Sequence, residues 1–165
     1  MKKILLFFTI ILIFGCETFR DKDNEIAKIS CPNVFFSSEN NVYLKGNGDN
    51  LDLDKIGFKA KLDNYAQFDD CLSDNLYNNY FLDLLVIVEP FNPQNEIIDL
   101  PIFAIFYDKD NKIIDRQYFK IIDKLNLNTE TSSYLTTDVI RKLNFKTDID
   151  KTVDSITIGF VKILK

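Results

Sequence analysis

Cysteine thiols and carboxylates are the side chains through which this chain could do chemistry. Its 165 residues hold three Cys, 25 Asp or Glu and no His. Without imidazole there is no Ser-His-Asp triad, no His-based zinc site and no partner to generate a catalytic thiolate. The cysteines are Cys16, Cys31 and Cys71, and no CxxC spacing suggests redox work. Cys31 and Cys71 form an even pair suited to a structural disulfide in an oxidising compartment. Among the acids, Asp49, Asp52 and Asp54 follow a loop containing Gly46 and Gly48. Calcium needs six to eight oxygens, so these three are the candidate metal ligands, against a solvated loop that leads into a strand. Asp108-x-Asp110-x-Lys112 starts like an EF-hand loop, but Lys112 stands where an oxygen ligand belongs, so a hairpin turn is expected. Asp148, Asp150 and Asp154 read as solvated acids in the same way. Paired carboxylates could hydrolyse a glycoside, yet no spacing singles out a pair. Asp83 interrupts an apolar run and is expected to point outward or to meet a Lys or Arg. Gly46-x-Gly48 lacks the strand and helix that a phosphate loop requires. No cofactor is implied.

The N-terminus carries a stronger signal. Lys2-Lys3 precedes an apolar run over residues 4–14, broken only by Thr9 and closed by Gly15-Cys16. This is signal-peptide anatomy. A helix of that length spans about 16 Å, against a hydrocarbon core of about 30 Å, so it does not read as a permanent span. The ending Ile13-Phe14-Gly15-Cys16 resembles a bacterial lipoprotein box, although Phe14 stands where that pattern prefers a small residue. The resemblance implies cleavage after Gly15 and acylation of Cys16, with palmitate-like chains anchoring the protein to a membrane. Each buried methylene contributes about 0.8 kcal/mol, and two or more chains anchor stably. Glu17, rather than Asp, follows the Cys and favours outer over inner membrane. Three segments result: residues 1–15 as signal peptide, 16–30 as lipidated Cys and solvated tether, and 31–165 as one folded domain.

The elements that must position these groups read as strands. The chain is 46% hydrophobic and 27% charged, which places it among folded globular proteins. Ile56, Phe58, Ala60 and Leu62 alternate with polar residues, the pattern of a half-buried strand. Residues 81–88 are apolar on both faces apart from Asp83 and read as a central strand ended by Pro90 and Pro93. Residues 101–107 form a second buried run. Residues 108–111 make a turn, and residues 112–122 return as its hairpin partner. Ile156, Ile158, Phe160 and Leu164 mark a last strand. Residues 33–37 and 133–136 are weaker strand candidates, and residues 40–54 read as a loop. Residues 137–144 read equally as a short helix capped by Thr137 or Asp138, or as a strand. Phe35, Phe36, Phe58, Phe103, Phe106, Phe119 and Phe160 are expected in the core. About seven strands in one domain predict an all-β fold, an antiparallel immunoglobulin-like β-sandwich, with a small barrel as the alternative.

Several of these blocks together resemble a family of uncharacterised alphaproteobacterial lipoproteins. They are the Cys16 box and tether, Cys31-Pro32-Asn33-Val34, Cys71 before residues 81–88, the strand–turn–strand ending near Phe119, and Gly159-Phe160. The segment EPFNPQN at residues 89–95 departs from that family, and so does the end at residues 161–165. The resemblance implies location and organisation, with no catalytic residue to carry over. The net charge of −5 disfavours nucleic acid as a partner. The expected function is a non-catalytic, periplasm-facing envelope lipoprotein, bound to the membrane by its lipid, whose sandwich contacts a protein partner or supports an assembly. The alternative is a carboxylate-based small-ligand or calcium-binding protein, or a hydrolase.

Overall fold

In the computed structural model, residues 26–46, 55–67, 70–93 and 95–162 are described. Among them run twelve strands. These are β1 Ala27–Ile29, β2 Asn33–Phe36, β3 Val42–Gly46, β4 Ile56–Gln67, β5 Cys71–Ser73 and β6 Tyr77–Pro90 in the first half. The second half holds β7 Ile97–Tyr107, β8 Ile113–Lys124, β9 Asn126–Asn128, β10 Ser133–Leu135, β11 Thr137–Asp148 and β12 Ser155–Phe160. The sandwich expected from periodicity is present, with five more strands than the seven anticipated.

The first sheet centres on β6. One edge of β6 pairs with β11 from Tyr77 to Val88. Its other edge is shared by β4 and the short β5, which carry β3 and β1 outward. The second sheet has the order β2-β12-β7-β8, antiparallel except for the parallel β2–β12 pair. A small β9–β10 ribbon stands apart. The chain passes from β6 to the β7–β8 hairpin in the opposite layer and returns as β11 beside β6. This is a Greek key folded across the two layers, the connection that immunoglobulin-like sandwiches use.

Period two explains the packing. In β6, Tyr80, Leu82, Leu84, Val86 and Val88 are buried, while Phe81, Asp83, Leu85 and Ile87 face outward and are half-exposed. From the other sheet, Ile98, Leu100, Ile102, Ala104 and Phe106 of β7 and Ile156, Ile158 and Phe160 of β12 meet them. Phe145 of β11 sits edge-on to Phe106 and Phe119, with ring centroids 5.5 and 5.2 Å apart. Aromatic pairs favour this edge-to-face arrangement.

Four expectations need correction. Residues 137–144 belong to strand β11, because Val139, Leu143 and Phe145 share the core face while Asp138, Ile140 and Lys142 alternate outward. The stretch read as a loop from residue 40 contains β3, whose Tyr43 packs on Phe160 at 5.7 Å. Residues 27–29, read as part of a solvated tether, form β1 and pair with β5. Among the described residues the last strand ends at Phe160, with Leu164 outside them, and a single residue accounts for this end. The Val161 N–H donates to the Pro101 carbonyl at 2.9 Å, but Pro101 has no N–H to return. The ladder between β12 and the central β7 therefore ends where proline removes its donor.

Candidate functional site

Cys31 and Cys71 are disulfide-bonded, with Cα atoms 5.3 Å apart. The bond joins the segment after β1 to the start of β5, beside the pair Ile29–Cys71. Cys16, Asp49, Asp52 and Asp54 lie outside the described residues. Asp83 occupies the outer face of β6, in register with Lys142 on one side and Ala66 on the other. Asp108 builds a hairpin turn: its Oδ1 accepts the N–H groups of Asp110 and Lys112, and Asn111 takes a φ of 59°. Asp148 pairs with Lys151 at 2.9 Å, and that hydrogen bond is the main cause holding the Lys151 ammonium above its ordinary range. Asp74 accepts the N–H groups of Leu76 and Tyr77, which hold its carboxyl below the usual carboxylate range. Both shifts come from turn chemistry. Among the described residues no three Cys, Asp or Glu side chains gather in a way that could hold a metal ion. No described helix is long and apolar enough to cross a membrane.

The features that stand out are the sheet edges and one sheet face. On one side of the sandwich, β8 and β11 are long edge strands lying across from each other. Side chains from each occupy backbone carbonyls of the other. Arg141 donates to the Ile122 carbonyl at 2.9 Å and to Asp123 at 3.0 Å, and Gln117 donates to the Lys146 carbonyl at 2.6 Å. Occupied edge carbonyls make a poor template for an added strand.

The outer face of the second sheet is different. Its rows follow from the register. Phe35, Thr157, Ile105 and Arg116 lie side by side, and the next row is Gly159, Phe103 and Tyr118. Phe35 is 56% exposed and Tyr118 68%, with Ile122 at 58% farther along β8. Phe35 and Phe103, both expected in the core, lie on this outer face, because the core parity belongs to Val34 in β2 and to Ile102, Ala104 and Phe106 in β7. The Phe103 ring lies over Gly159: a Cβ there would come within 2.5 Å of the ring. Glycine thus permits the aromatic side chain to approach β12 closely.

Beside that ring is an open depression of about 380 Å³, lined by Asn40, Phe103, Ile105, Arg116, Tyr118, Phe160, Val161 and Lys162. Its floor is apolar and aromatic, and cations stand at its ends. Lys120 in the next row is paired with Asp99 at 3.0 Å. Among the described residues neither Arg116 nor Lys162 has a carboxylate within ion-pair distance. Lys162 is held at the rim by donating to the Glu39 carbonyl. Asn40, which turns back on Ser37, closes the same end.

Sequence reasoning did not single out this face. Residues 101–107 are apolar at every position but the last, so their composition does not tell which parity faces the core. Gly159 next to Phe160 was the available sign, since a glycine inside a strand often marks close approach by a neighbour. No family model, no curated protein and no solved structure matches the chain.

Proposed function

We propose that this chain is a lipid-anchored envelope protein that faces the periplasm and holds a protein partner near the membrane through the outer face of its β2-β12-β7-β8 sheet. The single observation that carries the partner-binding reading is the exposure of Phe35, Tyr118 and Ile122 on one sheet face, left uncovered among the described residues, beside Phe103 and Ile105. Aromatic residues and arginine are the types enriched where protein interfaces are buried. An exposed apolar patch of this kind costs solubility unless something covers it. The anchoring part rests on the leader and the Ile13-Phe14-Gly15-Cys16 box, and on the likeness of the whole motif set to alphaproteobacterial lipoproteins. The carboxylate-based alternative draws little support, because the perturbed acid among the described residues, Asp74, owes its shift to backbone donors in a turn.

Tethering gives the reading its physical sense. With β1 starting at Ala27, the segment from residue 17 to residue 26 reaches at most about 35 Å, so partners would lie close to the bilayer. Confinement raises the effective concentration of membrane-bound partners without any new contact. The test compares crosslinked membranes from cells carrying the native chain and the Phe35→Asp/Tyr118→Asp variant, probed for adducts of this protein. The reading expects a discrete adduct with the native chain that is lost in the variant, while the variant's thermal midpoint is retained. An adduct pattern indifferent to both substitutions would contradict it.

A further inference from the structure

We propose that the depression between Arg116 and Lys162 binds an extended acidic segment of the partner, with two carboxylates six residues apart and apolar side chains between them on the same face. This rests on the partner-binding reading and names the chemistry it would select. The spacing comes from the sheet. Arg116 is in register with Ile105, and Lys162 follows Val161, whose N–H meets the Pro101 carbonyl. Lys162 is therefore one step beyond Pro101, five residues from Ile105 or about 17 Å along β7, and β12 lies two strand spacings, about 10 Å, across from β8, so the two cations stem from points about 19 Å apart. Positions i, i+2, i+4 and i+6 of an extended peptide share one face, and i to i+6 spans about 20 Å, close to that separation. The outer positions would meet the two cations. The inner positions would meet the Phe103 ring, which Gly159 allows to approach β12 closely.

Charge complementarity selects the occupant. In a chain of net charge −5, two cations without carboxylate partners among the described residues flank one apolar floor. A guanidinium is weakly hydrated and suits carboxylate recognition at a partly apolar surface. An anionic bilayer is the poorer fit. Membrane attraction grows by about 1 kcal/mol per nearby basic residue and usually takes a cluster of four or more. Here Lys120 is already neutralised by Asp99, and the whole chain is acidic.

The experiment uses the full chain in non-ionic detergent and a fluorescein-labelled ten-residue peptide. The peptide carries two glutamates six positions apart, leucines at the two intervening positions of the same face and serines elsewhere. Fluorescence anisotropy should give saturable, salt-sensitive binding. Arg116→Glu and Lys162→Glu should each weaken it at least about five-fold, which is the scale of an ion pair lost and replaced by repulsion. The double charge reversal should instead prefer the same peptide with lysines in place of the glutamates. Absence of binding at millimolar peptide overturns the proposal, and so does affinity indifferent to both reversals. Equal loss of binding to vesicles of 30% phosphatidylglycerol in phosphatidylcholine, with no peptide effect, would assign the cations to lipid and also overturn it. If the peptide fails while the Tyr118-dependent crosslink persists, the acidic-segment proposal falls and the partner-binding reading stands.

Discussion

Gly159 and Phe103 show how one residue shapes the sheet face. The Phe103 ring occupies the space a side chain at 159 would need, with a Cβ coming within 2.5 Å of it. Gly159→Ala should therefore cost about 1–3 kcal/mol, the usual range for overpacking. Phe103→Ala in the same background should recover part of that loss, since the two sites share one contact. Urea midpoints of the two single variants and the double variant measure this coupling, and simple additivity would count against the contact. Asp74 gives a second residue-scale prediction. Its folded pKa lies below the ordinary carboxylate value near 4, so its ionised form stabilises the turn at neutral pH. That contribution is present above the unfolded pKa and disappears as pH falls through the folded one. Asp74→Ala should be less stable than the native chain at pH 7, and the gap should close on strong acidification. Thermal midpoints at pH 7 and pH 3 decide it.

Strands were largely legible in the sequence because period two is robust. The alternation around Ile56–Leu62 and the apolar run at residues 81–88 appear as β4 and β6. What stayed illegible has physical causes. Phe103 was misplaced because a strand apolar on both faces does not reveal which parity is inside. Residues 137–144 fit both periods over so short a window, and only pairing with the whole of β6 selects the strand. The short β1 and β3 depend on neighbours distant in sequence, through the Cys31–Cys71 bond and the Tyr43–Phe160 contact. The candidate face was missed altogether, since Arg116 and Lys162 are brought together only by the sheet register. The disulfide was foreseen, and its removal is testable at this scale. It closes a separation of 40 residues, and reduction should lower stability by about 2–4 kcal/mol. Denaturant midpoints with and without reductant give the figure. The long edges offer another test. Arg141→Ala frees the Ile122 carbonyl and removes the pair with Asp123. It should promote self-association at high concentration, readable by light scattering, while the native chain stays dispersed.

At the scale of the whole molecule, two asymmetries frame the account. One side of the sandwich has its edge carbonyls occupied by side chains, whereas the outer face of the second sheet presents aromatic residues and two cations free of carboxylates among the described residues. The other asymmetry is the N-terminal box, which would place the domain at a membrane. Cys16→Ser should move the protein from the detergent-soluble membrane fraction to the soluble or uncleaved one. Unchanged partitioning with cleavage intact would contradict lipid anchoring. The central claim is a tethered sandwich that meets its partner through one face, and the most direct measurement compares its two faces in living cells. A photo-crosslinking amino acid at position 118 probes the second sheet, and the same group at position 140 probes the outer face of β11, where Ile140 is 67% exposed. The account predicts a discrete adduct of higher mass from position 118 and none from position 140. Equal adducts from both positions, or an adduct from position 140 alone, would contradict it.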